Sequence, residues 1–310
     1  MPARAAAVER SPISVGLDRL IALKQAGERI RLTAPRVRAF AVGGHLSPFK
    51  GRGVEFDESR PYQPGDDLRT IDWRVTARTG KPYTKVFREE RNRPVMVWLD
   101  LRRSMLFATR RAYKAVVAAE IAGLVAWSAV GNGDQLGGLV FSDDEHGDLR
   151  PRLGRRAALR LFQLVAASSC WREQGATRTA DGGTDRALLR LTRVARPGSM
   201  LFLISDFRGF NDDSERHVRA LASHGDVFLV HVFDPVEAEL PPPGRYRIRM
   251  AGRSFAIETS DRAVRERHRA RFQEKRDRLR ALARLPGVAY IECPTSDDPY
   301  EILSKRFAQA

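Results

Sequence analysis

The chain has 310 residues, long enough for one large domain and a smaller extension, since single domains commonly contain about 50 to 250 residues. Apolar residues make up 43% of the sequence and charged residues 30%, which excludes a largely disordered or fibrous chain. The 54 lysines and arginines outnumber the 38 acidic residues, so the formal net charge is +16. Such a basic surface attracts nucleic acid, anionic lipid or an acidic protein face, although the charge is not interleaved with aromatic residues as base stacking favours.

The sequence predicts a cytoplasmic protein. Its most apolar stretch, residues 112–130, is interrupted by Lys114 and Glu120, so we expect no membrane span, which needs about 20 mostly apolar residues. The N-terminal segment has Glu9 and Pro12 where a secretory signal needs its apolar run. The two cysteines are far apart and outside any metal-binding pattern, which favours buried thiols in a reducing compartment.

The first third of the chain predicts an N-terminal segment and an irregular extension. Residues 1–30 read as a tail leading into a short helix near residues 15–26, where leucine and isoleucine recur at helical spacing. We expect this helix to be a docking element. Residues 31–93 change to glycine, proline and alternating residues, which predicts a β-rich extension with several turns.

From residue 94 to residue 310, short apolar runs alternate with helix-length amphipathic segments. The runs that predict strands are residues 95–99, 136–141, 200–204, 227–233 and 288–291. The segments that predict helices are about residues 113–130, 155–167, 186–195, 214–224 and 261–285, with a hairpin inserted near 245–258. Strands that are apolar throughout suit a parallel sheet covered on both faces. The pattern therefore predicts an α/β fold with a doubly wound, mostly parallel sheet in a three-layer αβα sandwich.

Four polar residues occupy the positions where such a sheet binds ligands. Asp100 and Ser104 follow the first strand, Asp206 follows the third, and Thr184 lies in a glycine-rich turn between them. Ligands of open α/β sheets sit beyond the carboxyl ends of the strands, so we expect these groups at one edge. Carboxylate and hydroxyl oxygens suit Mg²⁺. Taken singly, each residue is better explained as a turn or helix-capping group.

This set resembles the metal-ion-dependent adhesion site of the von Willebrand factor A fold. The pattern of that site is DxSxS, a threonine in a GGT turn and an aspartate after a later strand. Here the first motif reads DLRRS, so Arg102 replaces the first serine. A fixed positive charge nearby opposes Mg²⁺, and Arg102 could instead pair with Asp100 or Asp206 and replace the charge of the metal. We expect a degenerate site, poor in metal unless Arg102 turns towards solvent.

A second resemblance covers about residues 35–310. The segment before the first strand looks like the signature of the bacterial family called domain of unknown function 58, in which an E-F-x-x-x-R-x-Y-x-x-G-D-D-x-R-x-I-D-W-x-x-x-A-R pattern precedes a von Willebrand A-like domain. The matching residues are Glu55, Phe56, Arg60, Tyr62, Gly65, Asp66, Asp67, Arg69, Ile71, Asp72, Trp73, Ala77 and Arg78. The resemblance implies a von Willebrand A-like, Rossmann-like domain over residues 94–310.

The signature places alternating acidic and basic side chains around one tryptophan and one tyrosine. This composition suggests a buried, hydrogen-bonded charge network, from which removal of one partner costs about 3 to 5 kcal/mol. The alternative interpretation is a partner-docking face on the extension.

The family resemblance also implies a function. Its members are similar in being encoded beside MoxR-type AAA+ ATPases, which implies a non-enzymatic adaptor for such an ATPase and its client, in assembly or in metal or cofactor insertion. The partner-binding residues would be Asp100, Arg102, Ser104, Thr184 and Asp206. The sequence has no glycine-rich phosphate loop and no nucleophile elbow that would favour an enzyme. A basic nucleic-acid-binding module is the alternative function.

Overall fold

The computed structural model describes residues 11–33, 54–63, 70–89, 92–172, 183–250 and 253–308. Within these ranges the backbone alone is described at residues 54–58, 85–89, 248–250 and 253–255. The chain divides into two compact units, one formed by Met1–Ala41 with Arg93–Ala310 and the other by Val42–Asn92.

Strands and helices alternate along most of the described chain. The strands are β1 (Val54–Pro61), β2 (Tyr83–Glu89), β3 (Pro94–Asp100), β4 (Gln135–Phe141), β5 (His146–Arg152), β6 (Met200–Ser205), β7 (Asp226–Phe233), β8 (Arg245–Met250), β9 (Arg253–Glu258) and β10 (Val288–Pro294). The helices are α1 (Leu17–Ala22), α2 (Lys24–Glu28), α3 (Trp73–Thr79), α4 (Lys114–Gly131), α5 (Arg155–Ala167), α6 (Gly183–Val194), α7 (Asp212–Ala222), α8 (Pro235–Ala238), α9 (Arg262–Leu282) and α10 (Pro299–Ala308).

A six-stranded sheet forms the centre of the larger unit. Its strand order is β10-β7-β6-β3-β4-β5, and all neighbouring strands are parallel except β4 and β5. Alternate residues of β3 face opposite sides, so that Val97 and Leu99 lie in one apolar cluster and Met96 and Trp98 in the other. Helices α1, α2, α4, α5 and α10 contribute to the first cluster, and α6, α7 and α9 to the second. The predicted three-layer αβα sandwich is confirmed.

Helix α4 is the core helix of the first layer. Among the described residues, α4 is the one helix that is long and apolar enough to cross a membrane. However, 89% of this stretch is buried inside the protein. A helix that is apolar on all sides needs a covering on all sides. Here α2, α5, α10 and the sheet contact it, which accounts for its composition.

The N-terminal helices belong to the core of the larger unit. Leu20 in α1 is fully buried, and its carbonyl accepts a hydrogen bond from Nε1 of Trp127 at 2.8 Å. Gly27 in α2 lies so close to α4 that an added Cβ would be 2.5 Å from Cβ of Trp127 and 2.9 Å from the carbonyl oxygen of Leu124. Only a glycine allows this approach of the two helices.

We expect Gly27→Ala to lower the free energy of unfolding by about 1 to 3 kcal/mol, because the added methyl group must displace atoms held by α4. Urea melting of the full chain measures this effect. Gly16→Ala is the matched control, since a Cβ added at Gly16 meets no atom within 4 Å. Equal stability of the two variants would contradict the close packing of α2 on α4.

Strand β5 and helix α10 are among the elements of the larger unit that the sequence pattern does not predict. Strand β5 alternates between exposed and partly buried residues, with Leu149 the buried one, so it lacks the continuous apolar run of the other strands. Helix α10 is short and buries Leu303 and Phe307 against the first layer. The predicted hairpin is confirmed, because β8 and β9 pair antiparallel.

Both cysteines are free thiols. Cys293 is fully buried and Cys170 is partly buried. Burial raises the pKa of each thiol to about 12, so neither is a reactive thiolate at neutral pH.

The smaller unit contains the antiparallel pair β1–β2 and helix α3. Asp72 caps this helix: its Oδ1 accepts hydrogen bonds from the backbone N–H groups of Arg74 and Val75 at 3.1 and 3.2 Å. Its Oδ2 accepts a hydrogen bond from the hydroxyl of Ser59 at 2.9 Å. Asp72 therefore joins β1 to the start of α3.

Candidate functional site

The central sheet has a topological switch point between β3 and β6. From β3 the chain adds β4 and β5 on one side, then returns to place β6, β7 and β10 on the other. The loops after β3 and β6 therefore diverge, and the crevice between such loops is the usual ligand site of an open α/β sheet. We call this region, with Asp100, Arg102, Thr184, Asp206 and Arg208, the strand-end edge.

Asp100 is held by a cation of its own loop. It is the last residue of β3 and is fully buried. Nε of Arg102 donates to Oδ1 at 2.9 Å and Nη2 donates to Oδ2 at 2.6 Å. Ser205 donates its hydroxyl to Oδ2, also at 2.6 Å. Burial alone would lower the pKa of Arg102, but Asp100 reverses this effect and raises it, so the guanidinium group of Arg102 stays protonated at neutral pH.

Asp206 is held by a second cation, Lys114, the first residue of α4. Nζ of Lys114 lies 2.8 Å from Oδ2 of Asp206 and 2.7 Å from Oε1 of Glu237 in α8. The side chains of Lys114 and Asp206 are only 1% and 2% exposed. Burial alone would raise the pKa of Asp206 and lower that of Lys114, but their pairing holds the pKa of Asp206 well below its ordinary range and raises that of Lys114.

The backbone of Arg208 joins the two ion pairs. Its N–H donates to Oδ1 of Asp206 at 2.9 Å. Its carbonyl oxygen accepts hydrogen bonds from Nη2 of Arg102 at 3.2 Å and from the hydroxyl of Thr184 at 3.3 Å. Sequence reasoning thus assigned Asp100, Thr184 and Asp206 to one edge, and the structure places them there.

The donors at the strand-end edge do not fit Mg²⁺, which needs six oxygen ligands. Both oxygens of Asp100 accept hydrogen bonds from Arg102, and Lys114 occupies one oxygen of Asp206. The hydroxyl oxygen of Ser104 is buried and has no hydrogen-bond partner among the described residues. In the same part of the chain, no group of three or more His, Cys, Asp or Glu side chains is arranged to hold a metal ion. The side-chain cations of Arg102 and Lys114 stand where the charge of a metal would act.

Sequence reasoning missed four residues of the site: Lys114, Ser205, Arg208 and Glu237. Lys114 appeared in the sequence only as an interruption of an apolar stretch. The available signal was a lone cation at the start of a mostly apolar helix, because a buried ammonium group must find a carboxylate partner.

The signature residues of the extension are described in part. Gly65, Asp66, Asp67 and Arg69 lie outside the described residues, as do the side chains of Glu55 and Phe56. Arg60 and Tyr62 are partly buried, and Arg78 is exposed.

The prediction of a buried network around the tryptophan is wrong for Trp73, which is 70% exposed. The reason is its position in α3. The preceding residue, Asp72, turns its side chain inward to cap the helix. Neighbouring residues of a helix point in different directions, so the indole ring of Trp73 faces outward.

We expect Trp73→Ala to change the free energy of unfolding by no more than about 0.5 kcal/mol, because an exposed side chain loses little packing. Urea melting of the full chain measures this change. Trp98→Ala is the matched control, since Trp98 is fully buried and its loss should cost about 3 to 5 kcal/mol. Similar losses in the two variants would show that the indole of Trp73 is covered.

The fold and the strand-end edge together define an α/β protein with an open, mostly parallel sheet and two buried ion pairs at its switch point. The chain belongs to the family described as "Protein of unknown function DUF58", whose sequence profile matches residues 58–278. Asp100, Thr184 and Asp206 all lie in the matched range. The predicted family membership is confirmed.

Mycobacterial relatives are about a third identical to the chain over the residues that align. Uncharacterized protein Rv1480 of Mycobacterium tuberculosis (strain ATCC 25618 / H37Rv) is 32% identical over 202 residues. Uncharacterized protein Mb1516 of Mycobacterium bovis matches equally, at 32% over 202 residues. Each match covers 65% of this chain and 62% of the relative, so the chain spans less than two thirds of the length of these curated relatives.

Two solved structures from Bacteroides species are more distantly similar. BatB from Bacteroides thetaiotaomicron is 16% identical, with a TM-score of 0.41 over 70% of this chain and 100% of that chain. An aerotolerance-related membrane protein from Bacteroides fragilis is 15% identical, with the same TM-score of 0.41 and the same shares covered.

Proposed function

We propose that this chain is a non-enzymatic, cytoplasmic adaptor that works with a MoxR-type AAA+ ATPase in the assembly, or the metal or cofactor insertion, of a client protein. One observation carries the proposal: the buried pairs Asp100–Arg102 and Asp206–Lys114 give the strand-end edge a fixed shape and charge. The resemblance to a degenerate metal-ion-dependent adhesion site supports a binding role for such an edge. The ATPase enters through the family resemblance.

In this proposal the carboxylates of Asp100 and Asp206 position other groups and do not contact the partner themselves. Asp100, Thr184 and Asp206 are at most 2% exposed, so a partner cannot reach them directly. It meets Arg102, whose side chain is 11% exposed, and the exposed loop at Arg208. Binding therefore depends on groups whose orientation the buried acids fix, and it requires no metal.

A pull-down with the full chain tests the proposal. We expect the chain to retain the purified MoxR-type ATPase without added divalent metal and without nucleotide. Adding nucleotide should change the amount of ATPase retained. Asp100→Ala and Asp206→Ala should weaken retention, compared at a temperature where circular dichroism shows each variant folded. The exposed variant Asp277→Ala is the control. Failure of the unmodified chain to retain the ATPase under any of these conditions would refute the proposal.

Arg102→Ser should raise the affinity for Mg²⁺ by at least about tenfold, because it restores a hydroxyl ligand and removes a positive charge next to Asp100. Titration calorimetry measures the change. Arg110→Ser removes an exposed arginine from the same connecting segment and serves as the control. No gain over that control would count against the idea that Arg102 replaces a metal.

A nucleic-acid-binding module is the second candidate, favoured by the basic helix α9, where Arg267, Arg269, Arg271 and Arg280 are exposed. Phosphate binding weakens steeply with added salt, because counterions are released from the nucleic acid. Tight, salt-sensitive DNA binding together with no ATPase binding would reverse the order of the two candidates.

A further inference from the structure

A groove adjoins the strand-end edge, between α8, α9 and the base of the β8–β9 hairpin. It is a cavity of about 610 Å³, which we call the α8–α9 groove. Its apolar lining consists of Phe107, Val236, Leu240, Ile257 and Val264. This volume lies within the range of about 300 to 1,000 Å³ that is typical of ligand pockets. The groove can therefore hold several apolar side chains of a partner.

Three arginines with free guanidinium groups line the same groove: Arg208, Arg267 and Arg271. All three are exposed, and none of the described residues pairs with these groups through a hydrogen bond or ion pair. Arg208 and Arg271 also line an adjoining cavity of about 480 Å³. Guanidinium groups bind carboxylates in a planar, bidentate geometry, so these arginines offer sites for acidic groups.

The two acidic residues of the groove are already engaged. Glu237 accepts a hydrogen bond from Nζ of Lys114 at 2.7 Å and from the backbone N–H of Asp234 at 2.9 Å. Glu258 accepts hydrogen bonds from the hydroxyl and backbone N–H of Ser260 at 2.6 and 3.1 Å. The three arginines still outnumber the two acidic residues of the lining, so the groove keeps an excess positive charge.

Two further polar groups indicate a formed site. Ser104 lines the groove, and its hydroxyl oxygen is buried without a hydrogen-bond partner within the part of the chain that the structure describes. A buried hydroxyl without a partner is unfavourable. His268 bonds through Nε2 to the carbonyl oxygen of Val236 at 3.0 Å, which fixes α9 against α8.

From these observations we infer that the α8–α9 groove binds a peptide segment of a partner protein in which an aspartate or glutamate lies beside apolar residues. The inference rests on the proposed adaptor function and names the chemistry of what it recognises. The aliphatic part of the lining favours a peptide over single-stranded nucleic acid, since bases bind mainly by stacking on aromatic rings. The three arginines are the reason why the bound peptide must contain an acidic residue.

A library of random decapeptides on beads, probed with the labelled full chain, tests the inference. We expect the recovered peptides to carry an acidic residue next to an apolar one. Their affinity, measured by fluorescence anisotropy, should fall at least about tenfold in the triple variant R208Q/R267Q/R271Q. The control R150Q/R160Q/R193Q removes the same charge from exposed residues outside the groove and should change the affinity less than about twofold.

Three results would overturn the inference. The recovered peptides could lack acidic residues, or the two triple variants could lose peptide affinity equally. The third is a DNA oligonucleotide that displaces the peptide and binds the unmodified chain and the control variant but not R208Q/R267Q/R271Q. The library contains no ATPase, so the two proposals fail separately. Retention of the ATPase with no acidic peptides would remove the groove inference alone. Acidic peptides bound at the groove with no ATPase retained would remove the ATPase partnership alone.

Discussion

Replacing Lys114 with methionine should lower the free energy of unfolding by about 3 to 5 kcal/mol. The substitution removes the ammonium group and leaves Asp206 buried without its main counter-charge, which is the expensive way to break a buried ion pair. Glu237 loses a partner as well. Urea unfolding of the full chain, followed by circular dichroism, measures the difference.

The loss should depend on pH in a defined direction. The folded-state pKa of Asp206 is depressed, so its stabilising contribution is present above its unfolded pKa, about 3.9, and is lost as the pH falls further. In Lys114→Met the same carboxyl is buried and unpaired, which raises its pKa and makes protonation at mildly acidic pH stabilising. The gap between the two proteins should therefore shrink as the pH falls from 7 towards about 4.

Lys305→Met is the control for this experiment, because the pair Lys305–Glu301 is exposed on α10. Exposed pairs contribute little, so we expect no resolvable change there. A loss in Lys114→Met that does not vary with pH would point to packing rather than charge as the contribution of Lys114.

Replacing Asp100 with alanine should be similarly costly, by about 3 to 5 kcal/mol, because Arg102 then keeps only the carbonyl oxygen of Arg208 as an acceptor among the bonds described above. The double variant Asp100→Leu/Arg102→Met should recover most of this loss, since apolar groups of similar volume often replace a buried ion pair without destabilisation. Unfolding free energies of Asp100→Leu, of Arg102→Met and of the double variant, each compared with the unmodified chain, form a double-mutant cycle. Additive losses in that cycle would mean that the two side chains do not depend on each other.

Much of the larger unit follows from patterns that a sequence displays directly. Strands β3, β6 and β7 are buried along almost their whole length, and a continuous apolar run is the signal for such a strand. The same signal did not predict strand β5, because β5 lies at the edge of the sheet and its residues alternate between exposed and more buried positions. The carboxyl-end position of Asp100 and Asp206 followed from topology alone.

The partners at the strand-end edge could not be predicted in the same way. The sequence did not distinguish which of the two aspartates Arg102 would bind. Nor did it show that Lys114, which is 92 positions from Asp206 in the chain, would bind the other aspartate. Such pairings depend on how α4 lies across the sheet, which local periodicity does not encode. The exposure of Trp73 is a similar case, because the signature fixes which residues are present and not which way a capped helix turns them.

The bridge from Lys114 to both Asp206 and Glu237 has a consequence for local opening of the molecule. Helix α8 has four residues and on its own would fray rapidly, so its amide protons would exchange with solvent almost freely. Lys114 attaches it to the first turn of the most deeply buried helix, and α8 can therefore open only when that salt link opens. The amide protons of α8 should therefore exchange as slowly as those of the core helix α4, and not as fast as those of the neighbouring loops. An incoming partner then finds this side of the α8–α9 groove already formed.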